Sequence, residues 1–229
     1  MTTPSSRRAS GGPPPIVPAV AYGALMIASV IVSAGGPRTT TPAAEALRYA
    51  RAHTGQLHAV AVLAFAAALP LAIWTAVAYR QLHALGVRAP GTAMALVGGT
   101  LAAGSMALSG LLSWVSAESA SAADPGLARV LLDLTFVTGA AGFAVPFALL
   151  VAGIAVPSLL LGLTPRPVAV AGLIVAAAGM LATLTLTTST LNPTLPIVRF
   201  GGLAWIIAAS MLLPASRRSS TANQPTAAA

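Results

Sequence analysis

The chain has 229 residues, of which 56% are hydrophobic and only 7% charged, with a mean hydropathy of +0.85. About 25% charged residues is usual for a soluble domain, so too little polar surface exists here to cover a soluble globule. The formal charge of +8 would suit nucleic acid in a soluble chain, but these arginines sit singly or in pairs at the ends of apolar runs, where they anchor helices at lipid headgroups, and the complete lack of Cys excludes thiol–disulfide exchange, thioether-linked haem and cysteine-ligated metals.

The first fifteen residues, MTTPSSRRASGGPPP, are rich in Ser, Gly and Pro and read as a disordered tail. The apolar run 16–34 follows. Its VSA ending resembles a cleavage site, but the run exceeds the usual 7–15 residues of a signal core, which favours a first membrane span over a cleaved signal. In TTTPAAEALRYARAHTG, Thr41 is placed to cap a short interfacial helix, with Pro42 in its first turn and Glu45 at its positive end. Further spans are expected at 57–79, 92–115, 130–158, 168–187 and 197–213. Each approaches or exceeds the ~20 apolar residues that cross a bilayer. Asp124-Pro125 is a strong helix start, a capping carboxylate followed by a proline that needs no N–H donor. Residues 215–229 form a second, basic tail. The expected fold is therefore an all-α, polytopic bundle of six spans, or five if the first run is removed.

Six spans put both termini on one side. With that side cytoplasmic, seven arginines lie inside, Arg80, Arg88 and Arg166 among them, against five outside, a modest positive-inside bias. Trp74, Tyr79 and Trp114 fall near span ends, where amphipathic rings favour the interface, while Trp205 lies deeper and is expected between helices. Ala95, Gly99 and Ala103 offer a small-residue stripe for close helix contact, a spacing that an Ala-rich chain also produces by chance. AAALPLAIW around Pro70 and GFAVPFALL around Pro146 suggest a parallel repeat, against which low complexity must be weighed.

Ionisable groups within a bilayer are costly and mark places to look for function. The nearest are His58, Asp133 and Arg199, at the starts of the second, fourth and sixth spans, all on the outer side. Counting from Pro70 and Pro146 puts His58 and Asp133 about 18–20 Å from the midplane. The hydrocarbon half-thickness is only about 15 Å, so both groups belong to the interface. Arg129 and Asp133, four residues apart, share a helix face, and a surface ion pair is their plain reading. The rival reading is an outer polar vestibule in which His58, Asp133 and Arg199 converge with Arg129 and Glu118, below the short helix bearing Arg48, Arg51 and His53. Proton or small-anion handling would suit these types.

Other chemistries find less support. His53 and His58 are five residues apart and make no helical zinc pair, and there is no HExxH. His58 and His83 lie at opposite ends of one span, which disfavours haem held between two histidines. Ser109 has no base at its depth. Walker and Rossmann glycine motifs are missing.

The closing pattern, PRPVAVAGLIVAAAG, a polar loop, then LPIVRFGGLAWIIAASMLLPASRR, resembles the C-terminal part of a family of uncharacterised multi-span membrane proteins common in actinobacteria. The resemblance implies six spans in a bacterial plasma membrane and brings no substrate, cofactor or catalytic residue. The expectation is a non-catalytic structural or accessory protein in the lipid bilayer, without cofactor or nucleic acid, joining a membrane partner or its own copies through small residues of the third and fifth spans. A small transporter or proton-linked permease using the outer cluster is the alternative.

Overall fold

The computed structural model describes residues 14–214, of which 82% are helical, with no strand among the described residues. The tail readings fall mainly on residues 1–13 and 215–229, outside the described residues. Five helical stretches are long and apolar enough to cross a membrane. They are α3 (Thr54–Ala84), α4 (Pro90–Glu118), the pair α5 (Pro125–Gly139) and α6 (Ala141–Leu161), α7 (Arg166–Leu181) with a 3₁₀ extension over Ala182–Leu186, and α8 (Thr194–Leu212). The helix α1 (Ile16–Val32) is apolar but shorter, at 17 residues, and α2 (Ala43–Ala52) is the expected short amphipathic helix.

Packing runs α1–α3–α4–α6–α7, and α8 touches both α7 and α1 to close the ring, with α5 against α4 and α2. The core inside it holds Tyr22, Met26, Leu71, Trp74, Phe147 and Ile206, all buried. Large apolar side chains also cover the outside, Val62, Leu69 and Ile73 on α3, Val97 and Leu101 on α4, and Ile174 on α7. So much exposed hydrocarbon would aggregate in water and is at home in lipid.

Small residues set the spacing in the middle of the ring. A Cβ on Gly98 would stand 2.6 Å from the Leu150 nitrogen and Pro146 oxygen of α6, and one on Gly110 would stand 2.9 Å from Ala61 O of α3. Gly99 abuts the side chain of Thr75. Thus α4 presses one face against α6 and another against α3, with Ala95 and Ala103 buried in the same seams. In α7, Gly172 meets Trp205 and Gly179 meets Ala148, again within the chain.

Several expectations need correction. Trp74 is no interfacial anchor: it is 1% exposed and its Nε1 donates to Ser210 Oγ at 2.7 Å, tying α3 to α8. Trp205 does pack between helices, donating to Val168 O at 2.9 Å. Thr41 does not cap α2, because its hydroxyl accepts from the Arg38 amide at 2.9 Å and Pro42 stands at the cap position. Asp124 does cap α5, accepting from the Leu127 amide at 2.8 Å. The helix α3 continues beyond the apolar run 57–79 at both ends, since no breaker intervenes until Gly86 turns the chain at φ 76°. The span expected at 130–158 is not one helix but two, with Ala140 at φ −101° and ψ −93° between them.

Candidate functional site at a broken helix

The break at Ala140 frees a carbonyl. In a continuous helix Gly139 O would accept from the amide four residues on. Here it accepts from Arg199 Nη2 at 2.8 Å. Arg199 lies in a π-helical turn, Ile197–Gly201, within α8, and its guanidinium carbon stands 5.8 Å from the centre of the Phe143 ring. A cation at the carbonyl end of a helix meets the negative pole of the helix dipole, so α5 and Arg199 stabilise one another. Gly139 is suited to this place because a Cβ would come within 2.6 Å of Ser109 Oγ. Ser109 in turn donates to Thr135 O at 3.0 Å and holds α4 to α5 beside the break.

Arg199 also lines a cleft of about 450 Å³ at the end of the bundle where α1 finishes and α3 and α5 begin. Its walls come from α1, α3, α4, α5, the start of α6 and α8. Its roof includes Tyr49 of α2 and Gln56, linked by a 3.0 Å bond from the tyrosine hydroxyl to Gln56 Oε1, while Gln56 Nε2 donates to Val32 O at the end of α1. Burial pushes the Tyr49 phenol up from its ordinary range, which favours the protonated form that donates to Gln56. On α4 the lining runs from Ser113 to Met106, seven residues, so the cavity extends about 10 Å along that helix.

The five candidate residues fall into three sets. His58 Nε2 stands 2.9 Å from Glu118 Oε1, joining the outer ends of α3 and α4, and both side chains are substantially exposed. Arg129 Nε pairs with Asp133 Oδ2 at 2.8 Å, while its other nitrogens donate to Thr41 O at 2.7 Å and to Thr39 O. The pair is thus more than a surface i,i+4 contact, because Arg129 fastens the loop before α2 to α5. Asp133 faces a second, smaller cavity of about 220 Å³ with Thr39 and Asn192. Arg199 forms the third set. Seven residues above Pro146, the Gly139 carbonyl it meets lies about 10 Å from that proline along the helix, deeper than Asp133 by about 9 Å. No hydrogen bond or ion pair joins the three sets among the described residues.

Arg51 also departs from the vestibule picture. It donates to Ala120 O at 2.9 Å and Ala123 O at 3.1 Å, bracing the loop between α4 and α5, while His53 stacks on Tyr49 with ring centres 4.2 Å apart. Among the described residues no group of three or more His, Asp or Glu is placed to hold a metal ion. The sequence carried no signal for the break itself: Pro146 was visible, but the chain parts six residues before it. A scan against protein-family models finds no match to the chain, nor do searches of curated proteins and of solved structures.

Proposed function

We propose that the chain is a six-crossing protein of a bacterial plasma membrane, both termini cytoplasmic, that binds a small solute in the Arg199 cleft and acts as a permease rather than as a catalyst. The observation that carries this reading is the cleft at the α5–α6 break. Its volume of about 450 Å³ falls within the roughly 300–1,000 Å³ of small-molecule pockets. Interrupted helices whose freed backbone groups line a cavity are a recurrent way of building solute sites in transporters. The α1 helix supports the sixth crossing, since its 17 residues reach the lower end of spanning length and Tyr22 and Met26 are buried against the bundle. With α1 as a crossing, the modest arginine bias puts the cleft on the outer face. The accessory reading is weakened because Gly98, Gly99, Gly172 and Gly179, the small residues of the third and fifth spans, are engaged within the chain.

The lack of native Cys makes a direct test simple. Ala64, ten residues into α3, lines the cleft, whereas Gly104 on α4 is exposed with nothing beside it. In intact cells a membrane-impermeant maleimide should label Ala64→Cys and leave Gly104→Cys unlabelled. Failure to label Ala64→Cys from either side would show that the cleft holds no water and end the solute-site reading, while labelling only in inverted vesicles would reverse the orientation.

A further inference from the structure

We propose that the solute is an amphiphile with a singly charged oxyanion head, a carboxylate or phosphodiester, that pairs with Arg199 while its hydrocarbon body lies along the cleft. This rests on the solute-site reading above and gives the site its chemistry.

Arg199 is the reason for the charge. Its guanidinium has one hydrogen-bond partner among the described residues, the Gly139 carbonyl, and no carboxylate within ion-pair distance. Among the described residues the other two ends of this five-donor fork have no protein acceptor. Arg199 is half-buried in the cleft wall, and the Phe143 ring and one carbonyl dipole balance its charge only in part. An anion entering the cleft would take the place of water at the free donors and pair with the charge.

A hydroxyl points the same way. Thr135, which lines the cleft, has an Oγ1 without a hydrogen-bond partner, a donor left for a head-group oxygen.

The rest of the lining sets the remainder of the ligand. Met26, Val30, Val60, Met106, Phe136 and Phe200 offer hydrocarbon and no charge. Inorganic phosphate or sulfate would leave that surface unfilled and brings a second negative charge for which the cleft has no second cation among its lining residues. A cationic amphiphile would face Arg199 unfavourably. A single oxyanion on an apolar body matches both halves.

Two sources share this chemistry, a free fatty carboxylate and an anionic phospholipid. Detergent-purified full-length protein should be titrated with decanoate, decanol, dioleoylphosphatidylglycerol and dioleoylphosphatidylcholine, read by native mass spectrometry and thermal unfolding. Decanoate favoured over decanol identifies the free carboxylate, and phosphatidylglycerol favoured over phosphatidylcholine identifies the lipid. Arg199→Gln should weaken the favoured anion about tenfold or more, whereas Arg88→Gln at the opposite end of the bundle should leave it unchanged. The comparison of charged with neutral ligands in the unaltered chain stands even if the Arg199 variant does not fold. Equal binding of charged and neutral partners would overturn the oxyanion proposal while leaving the cleft as a solute site. Binding of none of the four would remove both.

Discussion

Two spans of this bundle carry a proline near the middle of their length, and they respond differently. The helix α3 runs unbroken through Pro70 from Thr54 to Ala84, whereas the span containing Pro146 is divided at Ala140. A proline removes one amide and crowds the carbonyl four residues before it, which for Pro146 is Gly142 and not Gly139. Proline alone therefore does not place the break. What distinguishes the second span is its neighbours: Gly139 lies against Ser109 of α4, and Arg199 of α8 takes the carbonyl that the break releases. In α3 the comparable level is occupied by Leu63 and Ala64, with no cation bonded there among the described residues. An interrupted helix in a bilayer persists where other groups satisfy its freed backbone, and only one of these two spans has such a group.

The comparison can be strained from several sides. The largest effect is expected where α4 meets the divided span. Gly98→Leu would drive a side chain into the α6 backbone and should destabilise by about 3 kcal/mol or more, lowering Tm by roughly 6–12 °C or abolishing a monodisperse peak, while Gly104→Leu on the open face of the same helix should change little. Similar behaviour of both would mean that the α4–α6 seam is not closely packed.

A middle-sized effect should come from the outer half of the divided span. Arg129→Met leaves the Thr39 and Thr41 carbonyls and the Asp133 carboxylate without their donor and should cost about 1–3 kcal/mol, against under about 0.5 kcal/mol for Arg88→Met on an exposed loop. Thermal unfolding in detergent reads the difference. The smallest effect, and the one that addresses the comparison most directly, is from the prolines themselves. Pro70→Ala and Pro146→Ala should each shift stability by about 1 kcal/mol or less, and Pro146→Ala should retain labelling of a cysteine at Ala64 in the cleft. Loss of that labelling in Pro146→Ala alone would make the proline the cause of the break after all.

The all-helical character and the long apolar crossings were legible from hydropathy, because the apolar runs are long: Asp124-Pro125 opens α5 as expected, whereas α3 starts three residues before and ends five after the run 57–79, and α7 gives way at Leu181 to a 3₁₀ extension. The site was less so. Counting residues from the prolines put His58 and Asp133 at the interface, which suits the exposed His58–Glu118 contact, but it carried no information on Arg199, whose long side chain reaches across to a carbonyl on another helix. Residue types on one span do not reveal a gap in a neighbouring span. Trp74 failed for a similar reason: its place near a span end suggested a headgroup contact, and only the partner Ser210, 136 residues away, explains its burial.

The segment over the cleft mouth has a chemical character of its own. Around α2, Arg129 grips the Thr39 and Thr41 carbonyls, Arg51 grips those of Ala120 and Ala123, and Gln56 grips that of Val32. Each of these fastenings joins a guanidinium or amide to a peptide oxygen, and none of those groups changes protonation across the pH range of living environments. Acidification that unfastens carboxylate bridges would leave these three in place, and with no Cys in the chain reductants have no bridge to cut. The mouth is thus tied by knots indifferent to the acidity and redox state of the medium it faces.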